Sequence, residues 1–176
     1  APDDSTYSQG TRPSDFMFSH FSAFAKLSGD SRWELTKNAA YDIVQKMQNR
    51  FGQKSGLIPD FVTDIDSNPK PAPASYLESV TDGEYAYNAC RVPWRLGLDY
   101  VLTGDPRAKT ALKKISDWLK TTTNGRPEKI KDGYKLDGSK GSEQSGPSMA
   151  FFAPFALAAM ADNDQAWVDA FWDKMV

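Results

Sequence analysis

Three short acidic hinges, each set between two runs of helical apolar spacing, constrain this fold more than any other feature of the chain. They read Ser28-Gly29-Asp30-Ser31-Arg32-Trp33, Thr103-Gly104-Asp105-Pro106-Arg107 and Ala161-Asp162-Asn163-Asp164-Gln165-Ala166-Trp167. In such a stretch a Gly or Asn closes one helix and an Asp or Ser caps the next, so the chain reverses within a few residues. The flanking runs agree. Met17, Phe21 and Phe24 lie at helical spacing within Asp15 to Leu27, after a Pro-Ser-Asp start. Trp33, Leu35, Ala40, Ile43, Val44, Met47 and Phe51 form one stripe that ends near Gly52. A third helix is predicted from Pro93 to Leu102, since Pro is tolerated at a helix beginning. A fourth runs through Ala108, Ala111, Leu112, Ile115 and Leu119 and stops before Asn124-Gly125, with two more over Met149 to Met160 and Gln165 to Met175. Each pair joins an aromatic-rich helix to a more amphipathic one. Recurrence at intervals of roughly 70 residues marks a repeat architecture. The predicted class is all-α, built of three helical hairpins.

Two connections read as non-helical. Thr63 to Ser75 holds three prolines and few apolar residues, and is expected as an extended surface loop. Arg126 to Gly146 alternates at Ile130, Tyr134 and Leu136 before a Gly/Ser-rich stretch, which predicts a short hairpin beside a mobile loop.

Composition narrows the function. The 176 residues carry a formal charge of only −2, which argues against a nucleic-acid or membrane-surface partner. No apolar run reaches bilayer-spanning length. The single cysteine, Cys90, excludes an internal disulfide. The single histidine, His20, speaks against a His-based metal site or a Ser-His triad. Five Trp, seven Tyr and ten Phe suit a carbohydrate cleft, although aromatic residues also fill cores. Neither cofactor nor metal is expected.

The stretch from Tyr85 to Asp105 concentrates the candidate chemistry. Tyr87, Asn88 and Arg91 lie at i, i+1 and i+4, so a helical start would put Tyr87 and Arg91 on one face. An aromatic plane, a carboxamide that both donates and accepts, and a guanidinium fork together suit a sugar. The same groups also serve as an aromatic packed under a structural Arg.

These residues carry a resemblance. Tyr87-Asn88-Ala89-Cys90-Arg91-Val92-Pro93-Trp94-Arg95 is similar to the central signature of glycoside hydrolase family 8. Thr11-Arg12-Pro13-Ser14-Asp15-Phe16-Met17, followed by Ser19-His20-Phe21, resembles a second family segment, and Gly56-Leu57-Ile58-Pro59-Asp60-Phe61 a third. The resemblance implies an inverting hydrolase of β-1,4-linked sugars such as cellulose, xylan, lichenan or chitosan, on an (α/α)6 barrel. Three hairpins are half of that barrel, so residues 1–176 are expected to be a single partial catalytic domain, nicked or truncated. By the same resemblance the general-acid glutamate belongs to the family's first half, outside this chain. A second polypeptide supplying that half is the expected partner, because half a toroid leaves large apolar faces uncovered. Secretion is expected, since a polymer substrate cannot enter a cell.

Inversion requires two carboxyl groups about 6.5–9.5 Å apart, one protonated and one ionised. In many family members the position of Asn88 is an aspartate that acts as base, and a carboxamide cannot replace it. A chitosanase branch of the family also has Asn there and takes its base from a glutamate on an upstream loop. The corresponding loop here is Tyr76 to Glu84. Glu84, beside Gly83 and close to the signature, is the expected general base; Glu78 is the second choice and Asp82 a lesser contender. Asn88 would hold the water or a sugar hydroxyl, and Arg91 would orient the base or Asn88. Tyr87, Trp94 and Phe16 are the expected sugar-binding aromatics, Phe16 standing where the family usually has a stacking tryptophan. Asp15 is expected as a helix cap or a partner of Arg12. Asn88 favours chitosan as substrate, and Asp60, Glu78, Asp82 and Glu84 would make the cleft acidic for a cationic polymer. Endoglucanase or xylanase activity, a non-catalytic carbohydrate-binding fragment and a protein-binding helical scaffold are the alternatives.

Overall fold

The computed structural model describes residues 7–161 and 163–175; Asp162 of the third hinge and the C-terminal Val176 lie outside them. Six α-helices carry the fold: α1 (Phe18–Ser28), α2 (Arg32–Arg50), α3 (Val92–Thr103), α4 (Pro106–Thr123), α5 (Met149–Met160) and α6 (Gln165–Met175). Consecutive helices pack in pairs, α1 on α2, α3 on α4 and α5 on α6. Contacts of α3 with α1, α4 and α5 put it at the centre.

The hinges close as their chemistry requires. Gly29 and Gly104 adopt the left-handed conformation, and their N–H groups cap Ala25 and Tyr100. Asp30 and Asp105 then accept the N–H groups of Arg32 and Arg107, starting α2 and α4. Asp164 does the same for Trp167 at the head of α6. Asp105 also binds the Arg107 side chain and lies 3.5 Å from Lys37, and Arg107 above all holds its carboxyl down to about 2. Asp105→Ala should lower stability by about 1 kcal/mol. In urea titrations the deficit should be full above pH 4 and shrink as the pH falls toward 2, where the wild-type carboxylate itself becomes protonated.

The core is continuous from Phe18, Tyr41, Val44 and Met47 through Leu96, Leu112 and Ile115 to Phe151, Phe155, Trp167 and Phe171. Helices α3 and α5 approach so closely at Gly97 that a β-carbon there would stand 2.9 Å from Leu157 Cβ. One charge cluster is sealed inside: Lys37 of α2 reaches Asp99 of α3 at 3.1 Å, and Tyr41 donates to the same carboxylate at 2.5 Å. Both ends of the helical array show apolar side chains. Leu27 is 84% exposed on α1, and Trp172 is 61% exposed on α6.

The structure corrects three local expectations. Pro13–Asp15 forms a separate 3-10 turn, Phe16 is extended, and α1 begins only at Phe18; of the two roles expected for Asp15, it takes the pairing with Arg12 and not the helix cap. Thr63 to Ser75 is not simply an extended loop. Val62–Thr63 (β1) and Lys70–Pro71 (β2) pair antiparallel, with Asp64 in the left-handed region at the turn and ion-paired to Lys70. The Gly/Ser-rich stretch after Tyr134 is tied down at Ser142 and Ser145 by side-chain hydrogen bonds to Glu84 and Asp132.

Candidate active site

The 3-10 turn Ala89–Arg91 leads directly into α3, and Pro93 fits the first turn because its missing N–H would have no partner there. What precedes that turn is held by a buried carboxylate. Asp60 accepts the backbone N–H groups of Ala86 at 3.0 Å, Ala89 at 2.6 Å and Asn88 at 3.2 Å. Burial pushes its carboxyl up to about 6, against the pull of the three N–H groups. Its own backbone N–H donates to the carbonyl of Glu84. Asp60 is 3% exposed, so it fixes the signature's backbone and faces no cleft.

Asp82 is likewise structural. It is 1% exposed and accepts the N–H groups of Leu77, Glu78 and Ser79 at 2.6, 3.0 and 2.9 Å, which folds the 77–82 loop around it. With its acceptors spent, it is unsuited to be a base. Two of the four acidic residues expected to line the cleft are thus internal.

The loop wound on Asp82 projects Glu78 over the signature. Glu78 Oε2 accepts the Asn88 amide at 2.7 Å, and its Oε1 lies 3.3 Å from Arg12 Nη1. Asn88 Oδ1 in turn accepts Arg91 Nη2 at 2.9 Å, and the same Nη2 donates to buried Ser14 at 3.0 Å. Arg95 donates to the Ser14 carbonyl. Glu78, Asn88, Arg91 and Ser14 therefore form one hydrogen-bonded line joining all of the loop, the signature and the Pro13 turn. The carboxylate at its end is 45% exposed. Within the signature, Asn88 and Arg91 are the hydrogen-bonded pair.

Glu84 is differently placed. Both its oxygens accept from Ser142, one from the backbone N–H at 2.8 Å and one from the hydroxyl at 2.5 Å. Asp132 performs the same service for Ser145 and Gly146, and also accepts the Tyr87 hydroxyl at 3.2 Å. Burial would raise Asp132, but the Ser145 hydroxyl and the Gly146 and Ser145 N–H groups outweigh it and bring the carboxyl down to about 2. The two clamps fold the 139–146 segment over the signature and enclose a cavity of about 140 Å³ lined by Glu84, Tyr87, Asp132, Glu143, Gln144 and Ser145.

The expected aromatic platforms divide. Tyr87 is 56% exposed, its ring edge-on to Phe151 at 5.0 Å and its hydroxyl held by Asp132. Trp94 is 40% exposed, but the Arg95 guanidinium lies over its ring at 4.3 Å. Phe16 is buried in the core against Phe18, so its ring offers no open face to a sugar. Ser14, Ser142 and Asp132 escaped sequence reasoning. Small hydroxyl and loop acidic residues carry no spacing signal, although Ser14 stands inside a recognised segment.

The chain is similar to known proteins over nearly its whole length. The chain is 42% identical over 172 residues to a β-glucanase of Niallia circulans, covering 97% of this chain and 42% of that protein. It is 40% identical over 167 residues to an endoglucanase of Bacillus sp. (strain KSM-330), covering 94% of this chain and 35% of that one. The apo structure of a β-1,3-1,4-glucanase from Paenibacillus sp. X4 superposes with a TM-score of 0.93 at 43% identity, over 98% of this chain and 45% of that one. The chain spans less than half the length of each of these proteins. Its residues 3–171 match the profile of Glycosyl hydrolases family 8. With that match spanning nearly all of the sequence, the chain belongs to glycosyl hydrolase family 8.

Proposed function

We propose that this chain is the base-bearing part of an inverting endo-β-glucanase, with Glu78 as the general base. The observation that carries this reading is the Glu78 carboxylate, half exposed and aimed at Asn88 within the line that runs on to Arg91. A base must be ionised, restrained and open to water. Glu78 has one donor on each oxygen and lone pairs to spare. Glu84, the first choice from sequence, also has one donor on each oxygen, but both come from Ser142 and the residue is less exposed than Glu78, so it acts as a loop clamp. Asn88 would place the water beside Glu78, with Arg91 fixing the amide's orientation, and Tyr87 would supply a sugar-facing ring.

The general acid is proposed to come from a further segment of the catalytic domain, since the relatives are more than twice as long. That segment would cover exposed apolar residues such as Leu27 and Phe24 on α1, completing an (α/α)6 barrel of which these three hairpins are half. Sizing the chain alone and with that segment tests the association; a stable monomer that ignores the added segment would refute it. Action outside the cell follows from a polymeric substrate. No helix among the described residues is long and apolar enough to cross a membrane.

A β-glucan is the preferred substrate, because the named relatives are a β-glucanase, an endoglucanase and a β-1,3-1,4-glucanase. Chitosan is the second reading, favoured by Asn88 facing a loop glutamate. Burial of Asp60 and Asp82 weakens it by removing two charges that would have attracted a polycation. Initial rates of the assembled enzyme on mixed-linkage β-glucan, carboxymethyl cellulose and soluble chitosan decide between them. The expected order puts a β-glucan first by at least about tenfold, the discrimination that ~1.4 kcal/mol of differential transition-state binding supplies. Faster chitosan cleavage would reverse the assignment, and binding without cleavage of any would mark a carbohydrate-binding fragment.

A further inference from the structure

We propose that Arg12 is a positioning residue for the general base, holding the Glu78 carboxylate in place; this rests on the reading of Glu78 as base. Glu78 stands on a loop whose backbone is set by Asp82, but that carboxylate grips only the N–H groups of residues 77–79. The Glu78 side chain needs restraint of its own. Asn88 Nδ2 supplies it on Oε2 at 2.7 Å, and Arg12 Nη1 on Oε1 at 3.3 Å.

Arg12 is itself fixed. Its Nε donates to Asp15 Oδ2 at 2.8 Å, and its guanidinium lies over the Phe61 ring at 6.0 Å. Asp15 closes the 3-10 turn whose Pro13 and Ser14 are buried, and Thr11 pairs through its backbone with Val62. Asp15, Arg12 and Glu78 thus form a chain of alternating charge along the surface, carried at one end by a turn whose Pro13 and Ser14 are buried and ending on the base. The segment that contains the turn meets the base twice: through Arg12 directly, and through Ser14 by way of Arg91 and Asn88.

The charges around Glu78 on the described elements are few. Arg12 touches it; Arg91 stands behind Asn88; Asp15 lies beyond Arg12; Asp82 shares the Glu78 backbone N–H. Arg12 is the one cation in direct contact among the described residues, so its removal leaves Oε1 without a side-chain donor and lets the carboxylate turn out of line with the attacking water.

The test is kcat and KM of the assembled enzyme on a soluble β-glucan, in wild type, Arg12→Ala, Arg12→Gln and Arg12→Lys. In Arg12→Ala and Arg12→Gln kcat should fall by about tenfold with KM little changed, the signature of a misplaced base. Arg12→Lys, which keeps a charged donor but loses the fork, should recover part of that loss. Should Arg12→Ala fail to fold, Arg12→Gln carries the same measurement. An unchanged kcat, or a loss confined to KM, would overturn the proposal and leave Arg12 a surface partner of Asp15. Glu78→Ala assayed with sodium azide separates the two levels of inference. Azide needs no base: it bonds to the anomeric carbon from the face opposite the breaking glycosidic bond, whose oxygen takes the proton of the general acid. Formation of the inverted glycosyl azide upholds Glu78 as base. No rescue would sink that reading and this proposal together, whereas rescue with an unchanged kcat in Arg12→Ala sinks this proposal alone.

Discussion

Glu78→Gln should lower kcat of the assembled enzyme on a soluble β-glucan by about 10³-fold or more, within the range that removal of a general acid or base produces. The substitution keeps length and shape, and its amide oxygen can still face Asn88, so folding should be unaffected. What disappears is the ionised oxygen that takes a proton from water as it attacks. The loss should therefore fall on kcat, with KM little changed, because Glu78 meets the substrate only through that water. Glu84→Gln should remain within about tenfold of wild type. Its amide would keep one hydrogen bond to Ser142 and strain the other, loosening the 139–146 segment and raising KM. Steady-state kinetics on the pair settle the matter. A near-inactive Glu84→Gln beside an active Glu78→Gln would return the base to the residue next to the signature.

Asp60→Ala is the second large effect, and it acts on the fold and the site together. Removing the carboxylate leaves three buried N–H groups, those of Ala86, Asn88 and Ala89, without acceptors. At about 1–3 kcal/mol for each unsatisfied group, the chain should lose at least about 3 kcal/mol of stability. Urea denaturation measures this directly, and a loss under about 1 kcal/mol would mean that water replaces the carboxylate. The wild-type chain should also reveal Asp60 through pH. Burial raises its pKa from an ordinary value of 3.8 to about 6, so the folded state holds this proton more tightly than the unfolded one. The associated stability is fully present below pH 4 and is lost as the pH rises through about 6, by about 3 kcal/mol in all. Asp60→Asn, which does not titrate, should flatten that slope.

The helical skeleton was legible in the sequence because its determinants are local. Stripes such as Ala108, Ala111, Leu112 and Ile115 mark a buried face without reference to any partner, and Gly104-Asp105-Pro106 writes the end of one helix and the start of the next. Where the same logic failed, a nearby contact outweighed it. Of the two roles open to Asp15, pairing with Arg12 wins over capping, and a 3-10 turn followed by extended Phe16 delays the start of α1 to Phe18. Val62 and Thr63 give too short a run to announce a strand, and pair with Lys70-Pro71 through a turn that only the folded chain displays.

The candidate site was legible in its parts and not in its wiring. Tyr87, Asn88 and Arg91 stood out by residue type, and Glu78 and Glu84 by their loop. Yet nothing local separates a carboxylate that faces solvent from one that caps backbone N–H groups. Asp60 and Asp82 read as cleft charges and prove to be internal fasteners; Phe16 reads as a sugar platform and proves to be core. By itself the sequence determined the six helices, the three reversals and the family, since periodicity, capping and motif all lie within short stretches of chain. Only the tertiary structure decided which glutamate faces Asn88 and which holds Ser142. That choice depends on the loop wound around Asp82, which lifts Glu78 onto Asn88, and on the distant segment clamped over Tyr87, which brings Ser142 to Glu84.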